Sequence, residues 1–291
     1  MIPFAKGHGL GNDYIVIDEA DLPRPLSTDA IVKICDRNWG VGSDGILLLV
    51  RTSRADFGLR IFNPDGSEAE KSGNGLRIFA KYLWDHKRAT GPTFSVDTKG
   101  GVVQCECHVK DGRMRDVTVE MGKATFRADE VPVTGATGDV VGFALTLGDG
   151  TALEGTAVSV GNPHFVVFVD HLDDADCRRL GPQIERHHVF PARTNVQFVR
   201  PASRQEIEIL IWERGAGYTL ASGSSSCAAA AAAVRNGHCD AGSVTVRMPG
   251  GQLAIDVRAD WSLRLQGPVE EVYTGALTAE FANLWVLGAK R

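Results

Sequence analysis

The sequence predicts an α/β (α+β) protein made of two similar domains related by pseudo-twofold symmetry. Three observations predict it: landmarks recur at a constant offset, strand signals dominate both halves, and each half has one strong helix starting just after a Ser-Gly turn. Gly11-Asn12 recurs 150 residues later as Gly161-Asn162, and Ile61-Phe62-Asn63 as Ile211-Trp212-Glu213. Ser72-Gly73 recurs as Ser222-Gly223, Ala80 as Ala230, and Gly100-Gly101 as Gly250-Gly251. From Asn12 to Ser72 and from Asn162 to Ser222 the distance is 60 residues, so no net insertion separates the landmarks. So long a period signals two domains rather than a solenoid, whose units run to about 20–50 residues. We expect a first domain over residues 1–120 and a second over 121–268. The tail, 269–291, is expected to return to the first domain, and the active site to lie in the cleft between the two.

The elements follow in order. Asn12–Ile17 and His164–Val169 are short apolar, β-branched runs after Gly-Asn, as buried strands are. Thr93–Val96, Val102–Val109, Val117–Met121, Ser243–Arg247, Leu253–Val257 and Leu263–Gln266 read as strands separated by Gly-rich or Asp-Gly turns. A helix is expected over Ser27–Asp36, where Ser27 or Thr28 can cap, and another over Ala175–Glu185. Gly75–His86 places Leu76, Phe79, Ala80 and Leu83 at helical spacing. Ser226–Asn236 is a helix of almost entirely small residues, closed by Asn236-Gly237. A helix apolar on all sides must be surrounded by protein, and small side chains let strands approach it, so it is expected inside a curved sheet. Lys123–Gly150, rich in Gly and Thr, reads as the connection into the second repeat.

The bulk numbers suit this plan. A chain of 291 residues with 43% hydrophobic and 23% charged residues supports two globular domains of ordinary size. A net charge of -5 without any Lys/Arg-rich run argues against nucleic acid as a partner. No stretch approaches ~18 uninterrupted apolar residues, so no membrane helix is expected. The N-terminus lacks the basic start, long apolar segment and small-residue site of a secretory signal, which makes the cytoplasm the expected location. The six cysteines, Cys35, Cys105, Cys107, Cys177, Cys227 and Cys239, therefore read as thiols rather than disulfides. Cys105 and Cys107 share one face of a strand, where core packing explains them better than metal binding. A homodimer is expected only because symmetric dimers are the commonest soluble assemblies.

Ser72-Gly73-Asn74-Gly75 and Ser222-Gly223-Ser224-Ser225 each set a small polar residue and a glycine at a helix start. First-turn N–H groups have no intrahelical partner, and the macrodipole adds partial positive charge. Such an end binds carboxylate. Two facing one cleft could clamp one carboxylate and stabilise the charge that builds when its α-carbon loses a proton. Each serine can equally be an ordinary N-cap, worth about 1 kcal/mol; the duplication favours a shared site. Asn63-Pro64-Asp65-Gly66-Ser67 and Glu213-Arg214-Gly215-Ala216-Gly217 precede the two helices by equal distances. Glu213 with Arg214 offers an acceptor and a fork of donors, as an amino acid's ammonium and carboxylate require. Asn162, Asn195 and His164 add amides and one imidazole, and His164 matches Tyr14 by the offset.

Together these residues resemble the diaminopimelate epimerase family, cofactor-independent isomerases that interconvert LL- and meso-diaminopimelate. The resemblance rests on Gly11-Asn12-Asp13, Asn63-Pro64-Asp65-Gly66-Ser67, Gly73-Asn74-Gly75-Leu76-Arg77, Gly161-Asn162-Pro163-His164, Thr194-Asn195-Val196 and Glu213-Arg214-Gly215-Ala216-Gly217-Tyr218-Thr219. It implies two domains, each a β-barrel-like sheet around a central helix, and an amino-acid substrate from lysine and peptidoglycan precursor synthesis, with no cofactor and no metal. It further implies that Asn63, Asn195, Glu213 and Arg214 hold the distal amino-acid centre. Gly73, Asn74, Gly223 and Ser224 would bind the reacting carboxylate, Asn12 and Asn162 would line the cleft, and His164 and Glu213 would support the acid–base pair. At the two catalytic positions, however, the family places cysteine where this chain has Ser72 and Ser222. A thiol of pKa about 8.5 at a helix N-terminus can exchange the α-proton, whereas a serine needs a strong base of its own. Cys227 is no substitute: five residues past Ser222 it is about 140° round the helix and roughly 7 Å along it. Three readings follow from the serines. They replace cysteines to trap a complex; they mark a natural relative with altered chemistry, using His164 or Glu213 as base on this or another substrate; or they mark a relative that binds an amino acid without turnover. The first expectation for the chain is an epimerase of a diaminopimelate-like amino acid.

Overall fold

The computed structural model describes residues 1–283, so the end of the tail, 284–291, lies outside the described residues. The described residues divide into two units: residues 1–119 with 267–283, and residues 120–266. The fold is α/β with two repeated, sheet-dominated units, as expected.

The first unit opens with β1 (Ile2–Gly9) and β2 (Asn12–Asp18), antiparallel, with Gly9 opposite Asn12. The two residues between them, Leu10 and Gly11, both have positive φ (57° and 87°), the geometry that lets a two-residue turn follow the strand twist. Helix α1 (Thr28–Cys35) begins at Ser27, whose Oγ accepts from Ala30 N at 3.2 Å. β3 (Ile46–Val50) lies parallel to β2, and β4 (Phe57–Phe62) and β5 (Glu68–Ala69) continue antiparallel. Helix α2 (Gly73–Asp85) then returns the chain to β6 (Thr93–Thr98), parallel to β4, and β7 (Gly101–Lys110) and β8 (Arg113–Lys123) complete the meander. Ile46 and Leu48 face α1 with Ile31 and Ile34, while Leu47 meets the start of α2. A strand covered on both faces has no solvent side, which is why β3 is an unbroken apolar run.

The second unit repeats this plan. β9 (Phe143–Thr146) and β10 (Ala152–Ser159) precede β11 (Pro163–Phe168), α3 (Asp174–Glu185), β12 (Asn195–Ser203), β13 (Glu206–Glu213) and β14 (Gly217–Thr219). Helix α4 (Gly223–Arg235) and strands β15 (Gly242–Met248), β16 (Gly251–Val257) and β17 (Ser262–Pro268) follow. The pairing register itself repeats. Ile15 opposes Ile46 as Phe165 opposes Val196, Leu47 opposes Ile61 as Gln197 opposes Ile211, and Phe57 opposes Val96 as Ile207 opposes Val246. The chain ends its described course in the first unit as β18 (Glu270–Leu277), antiparallel to β1 with Leu277 opposite Ile2.

Both strong helices start two or three residues earlier than periodicity indicated, because the glycines and serines after each cap are already helical. The expected connector after Lys123 differs more: Ala128, Val131, Val133, Val140, Leu145 and Leu147 are buried in the core of the second unit with Cys177, Ile184 and Phe198. Helix α4 is enclosed by β10, β11, β12, β13, β15 and β16, and Cys227 and the six alanines after it are fully buried. All six cysteines are buried thiols. No helix among the described residues is long and apolar enough to cross a membrane. Because strands press on α4 from all sides, Ala230→Leu should overpack the unit and lower stability by about 1–3 kcal/mol. The measurement is the midpoint of denaturant unfolding, and an unchanged midpoint would show room around the helix that the fold does not provide.

Candidate active site

Each unit presents a serine-capped helix start, and the two are built alike. Ser72 caps α2 at φ -142°, ψ 119°, and Ser222 caps α4 at φ -149°, ψ 126°. Ser72 Oγ accepts from Gly75 N at 3.0 Å, and Ser222 Oγ from Ser225 N at 3.4 Å. Each hydroxyl thereby uses a lone pair on the third helical amide and keeps its proton to donate. The amides before it, of Gly73 and Asn74 or of Gly223 and Ser224, have no carbonyl one turn back to bond. They form a small cluster of aligned donors at the positive end of the helix dipole.

In the first unit a polar network anchors this turn. Asn74 Nδ2 donates to Asn12 Oδ1 at 3.1 Å, and Asn12 Nδ2 to Asp44 Oδ2 at 2.9 Å. Asp44 and the neighbouring Asp13 share Arg37 at 2.7 Å each, and Lys6 Nζ lies 2.8 Å from Asp13. Burial pushes the Asp13 carboxyl up, but the hydrogen bonds from Arg37 and Lys6 outweigh it and hold the group below its usual range. The Tyr14 phenol sits 3.5 Å from Ser72 Oγ. Asn63 occupies a separate turn, where its Nδ2 donates to Ser67 Oγ at 2.9 Å. Arg77, one turn into α2, is fully buried and donates to the carbonyls of Gly73 and Pro268. Gly9 is glycine because a Cβ there would stand 2.8 Å from the Arg77 guanidinium.

The second unit gathers its residues into two groups. In one, His164 Nε2 donates to Asn162 Oδ1 at 3.0 Å, and Gln197 Nε2 donates at 3.1 Å both to His164 Nδ1 and to Ser225 Oγ. The imidazole is thus held as the neutral Nε2–H tautomer. Burial depresses its pKa to about 3, the Gln197 bond opposes this, and the Arg214 charge adds to it. Such a ring orients Asn162 and is a poor proton acceptor. In the other group, Asn195 Oδ1 accepts from Arg214 N at 3.0 Å, Asn195 Nδ2 donates to the Pro163 carbonyl at 2.8 Å, and the Arg214 guanidinium reaches the Ala192 carbonyl at 2.9 Å. Glu213 and Ser224 are half-buried.

Sequence reasoning missed Lys6, Arg37, Asp44, Glu185 and Gln197. Two of these had a readable signal. Glu185 falls one turn after Gly181 and two after Cys177, on the buried face of α3. Gln197 interrupts an apolar strand, where a lone amide must find partners.

The His164 ring gives a pH test. Folded, it stays neutral down to about pH 3, whereas an unfolded histidine takes up a proton near 6.5. Between these values the unfolded state binds the extra proton, so stability falls as pH drops through that window, by up to about 1.4 kcal/mol per unit from this group. His164→Gln should flatten that part of the stability curve; an unaltered slope would show that the ring protonates in the folded protein.

The family described as diaminopimelate epimerase matches twice, over residues 4–127 and 156–277. The chain is 48% identical to diaminopimelate epimerase 2 of Nostoc sp., covering 95% of this chain and 96% of that one. It is 44% identical to the diaminopimelate epimerase of Pelotomaculum thermopropionicum, over 94% and 97% of the two chains. In fold it is similar to a probable proline racemase from Agrobacterium radiobacter, at TM-score 0.70 and 15% identity over 96% of this chain and 93% of that one. It is similar also to a hydroxyproline epimerase from Agrobacterium vitis, at TM-score 0.69 and 15% identity over 98% and 96%. The chain belongs to the diaminopimelate epimerase family and is thus an isomerase of the epimerase class.

Proposed function

We propose that this chain acts on diaminopimelate, interconverting the LL and meso forms by moving the α-proton between two groups, without cofactor or metal. In this reading Ser72 and Ser222 occupy the two acid–base positions. One side takes the α-proton as the other delivers a proton to the opposite face of the same carbon. Gly73, Asn74, Gly223 and Ser224 receive the reacting carboxylate on their amides, and Asn12 and Asn162 flank it. Asn63, Asn195, Glu213 and Arg214 hold the distal amino-acid centre. The observation that carries the proposal is the duplication of the capped turn, with a hydroxyl and two orphan amides in the same backbone geometry in each unit. The relatives at 48% and 44% identity, both diaminopimelate epimerases, support diaminopimelate as the substrate.

A second reading, binding without turnover, draws on one observation. The hydrogen-bond partners described for Ser72 Oγ are a backbone amide and the Tyr14 phenol, neither of them a carboxylate or an imidazole. His164, neutral and engaged at both nitrogens, is not a base for an altered chemistry either. Glu213 is the remaining candidate for that role.

The deciding measurement is α-proton exchange in deuterated water, followed by NMR with LL- and meso-diaminopimelate. Exchange that depends on Ser72 or Ser222 supports the isomerase reading, and saturable binding without exchange supports the second. Ser72→Cys combined with Ser222→Cys should raise exchange by orders of magnitude, since a thiol at a helix N-terminus titrates near neutrality; no gain would mean a scaffold that has left this reaction. Arg214→Ala should abolish calorimetric binding, because a bidentate guanidinium–carboxylate contact is among the strongest polar interactions. Undiminished affinity would remove Arg214 from the site.

A further inference from the structure

Glu185, the last residue of α3, is a carboxylate only 2% exposed. Its Oε2 accepts from the Trp212 indole Nε1 at 2.8 Å, and its Oε1 from the Gly215 amide at 3.1 Å. Arg193 lies 3.7 Å from Oε1, and the Thr194 amide donates to the Glu185 carbonyl at 3.2 Å. The carboxylate therefore grips the residue before Glu213 and the residue after Arg214, and its backbone grips the residue before Asn195. Asn195 in turn accepts from the Arg214 amide.

The repeat shows that the fold itself does not call for this group. The positions in the first unit that match Glu185 and Trp212 are Cys35 and Phe62, packed with each other's neighbours in one apolar cluster. There the equivalent turn is held from within, by Asp65 accepting from the backbone and hydroxyl of Ser67. A buried carboxylate is costly to desolvate, and it appears in the unit that carries Glu213 and Arg214. Helix α3 comes close enough for this because residue 181 is glycine: a Cβ there would stand 2.6 Å from the Trp212 ring.

We propose that Glu185 is the positioning residue of the Glu213–Gly217 turn, fixing Glu213 and Arg214 in the orientation that takes the ligand. The inference rests on the reading above that these two side chains hold the distal amino-acid centre. Glu185 acts through the turn and touches no substrate. Glu185→Gln keeps the shape and one acceptor but turns an amide N–H toward the Trp212 indole N–H. In the ligand-free variant, the Gly215 amide and the Trp212 indole should exchange with deuterium at least about tenfold faster, while strand amides of the unit keep their wild-type rates. Affinity for meso-diaminopimelate, by calorimetry, should fall about tenfold or more. Adding Trp212→Phe removes the opposed donor and leaves the amide oxygen for Gly215, so the double variant should recover slow Gly215 exchange and most of the affinity. If Glu185→Gln unfolds the chain, the double variant is compared with Trp212→Phe alone. Unchanged Gly215 exchange overturns the inference, as does faster exchange with full affinity. If the wild-type chain binds no diaminopimelate, the functional reading fails on its own, and the ligand-free exchange still decides whether Glu185 holds the turn.

Discussion

A helix packed inside its own sheet meets most of its polar partners at its ends. In each unit this constraint governs the rest. The flanks of α4 are small where six strands close on it, α2 turns Leu76, Phe79, Ala80 and Leu83 to β1, β2, β7 and β18, and the unsatisfied N–H groups gather at the start of each helix. A serine cap relieves one amide there and leaves two for a ligand. The polar residues around each cap pair largely with one another and with main-chain groups, since an unpaired group beside so apolar a core costs more than a bond returns.

The two units meet the same constraint with different side chains. In the first, α2 carries Arg77 into the core, with Gly9 yielding the space and main-chain carbonyls receiving the guanidinium. The matching position in the second unit is Cys227, in a helix so uniformly small that the strands close on it directly. Tyr14 sets a phenol against its serine, whereas His164 is withdrawn into a chain of amides through Gln197 to Ser225. A duplicated framework has thus kept its register while its polar chemistry diverged, and the divergence is concentrated around the helix starts.

Much of this was legible in the sequence because the repeat is free of insertions. A constant offset exposed the paired Ser-Gly turns and, with them, the pairing of Asn12 with Asn162. The alanine run announced a helix enclosed by strands. Periodicity failed where the chain is scarcely periodic: Lys123–Gly150 looked like a connector because most of its buried residues are spaced by turns, with only the short β9 among them. The candidate site was legible in its motifs but not in its supports. Asp13, Arg37 and Asp44 meet only through tertiary approach, and Glu185 reaches Trp212 across a helix–strand interface that no local pattern specifies. The neutrality of His164 likewise comes from burial, which a histidine following Asn-Pro does not reveal.

The placement of the thiols has a consequence of its own. Cys35, Cys105 and Cys107 lie in one unit and Cys177, Cys227 and Cys239 in the other, all of them buried. Burial raises the thiols of Cys35, Cys107, Cys177 and Cys239, those of Cys107 and Cys177 to about 12. The native protein therefore offers almost no thiolate to electrophiles or peroxide at neutral pH. Alkylation becomes a clock for opening: three natural labels in each unit report, by which of them reacts, which half of the chain has come apart.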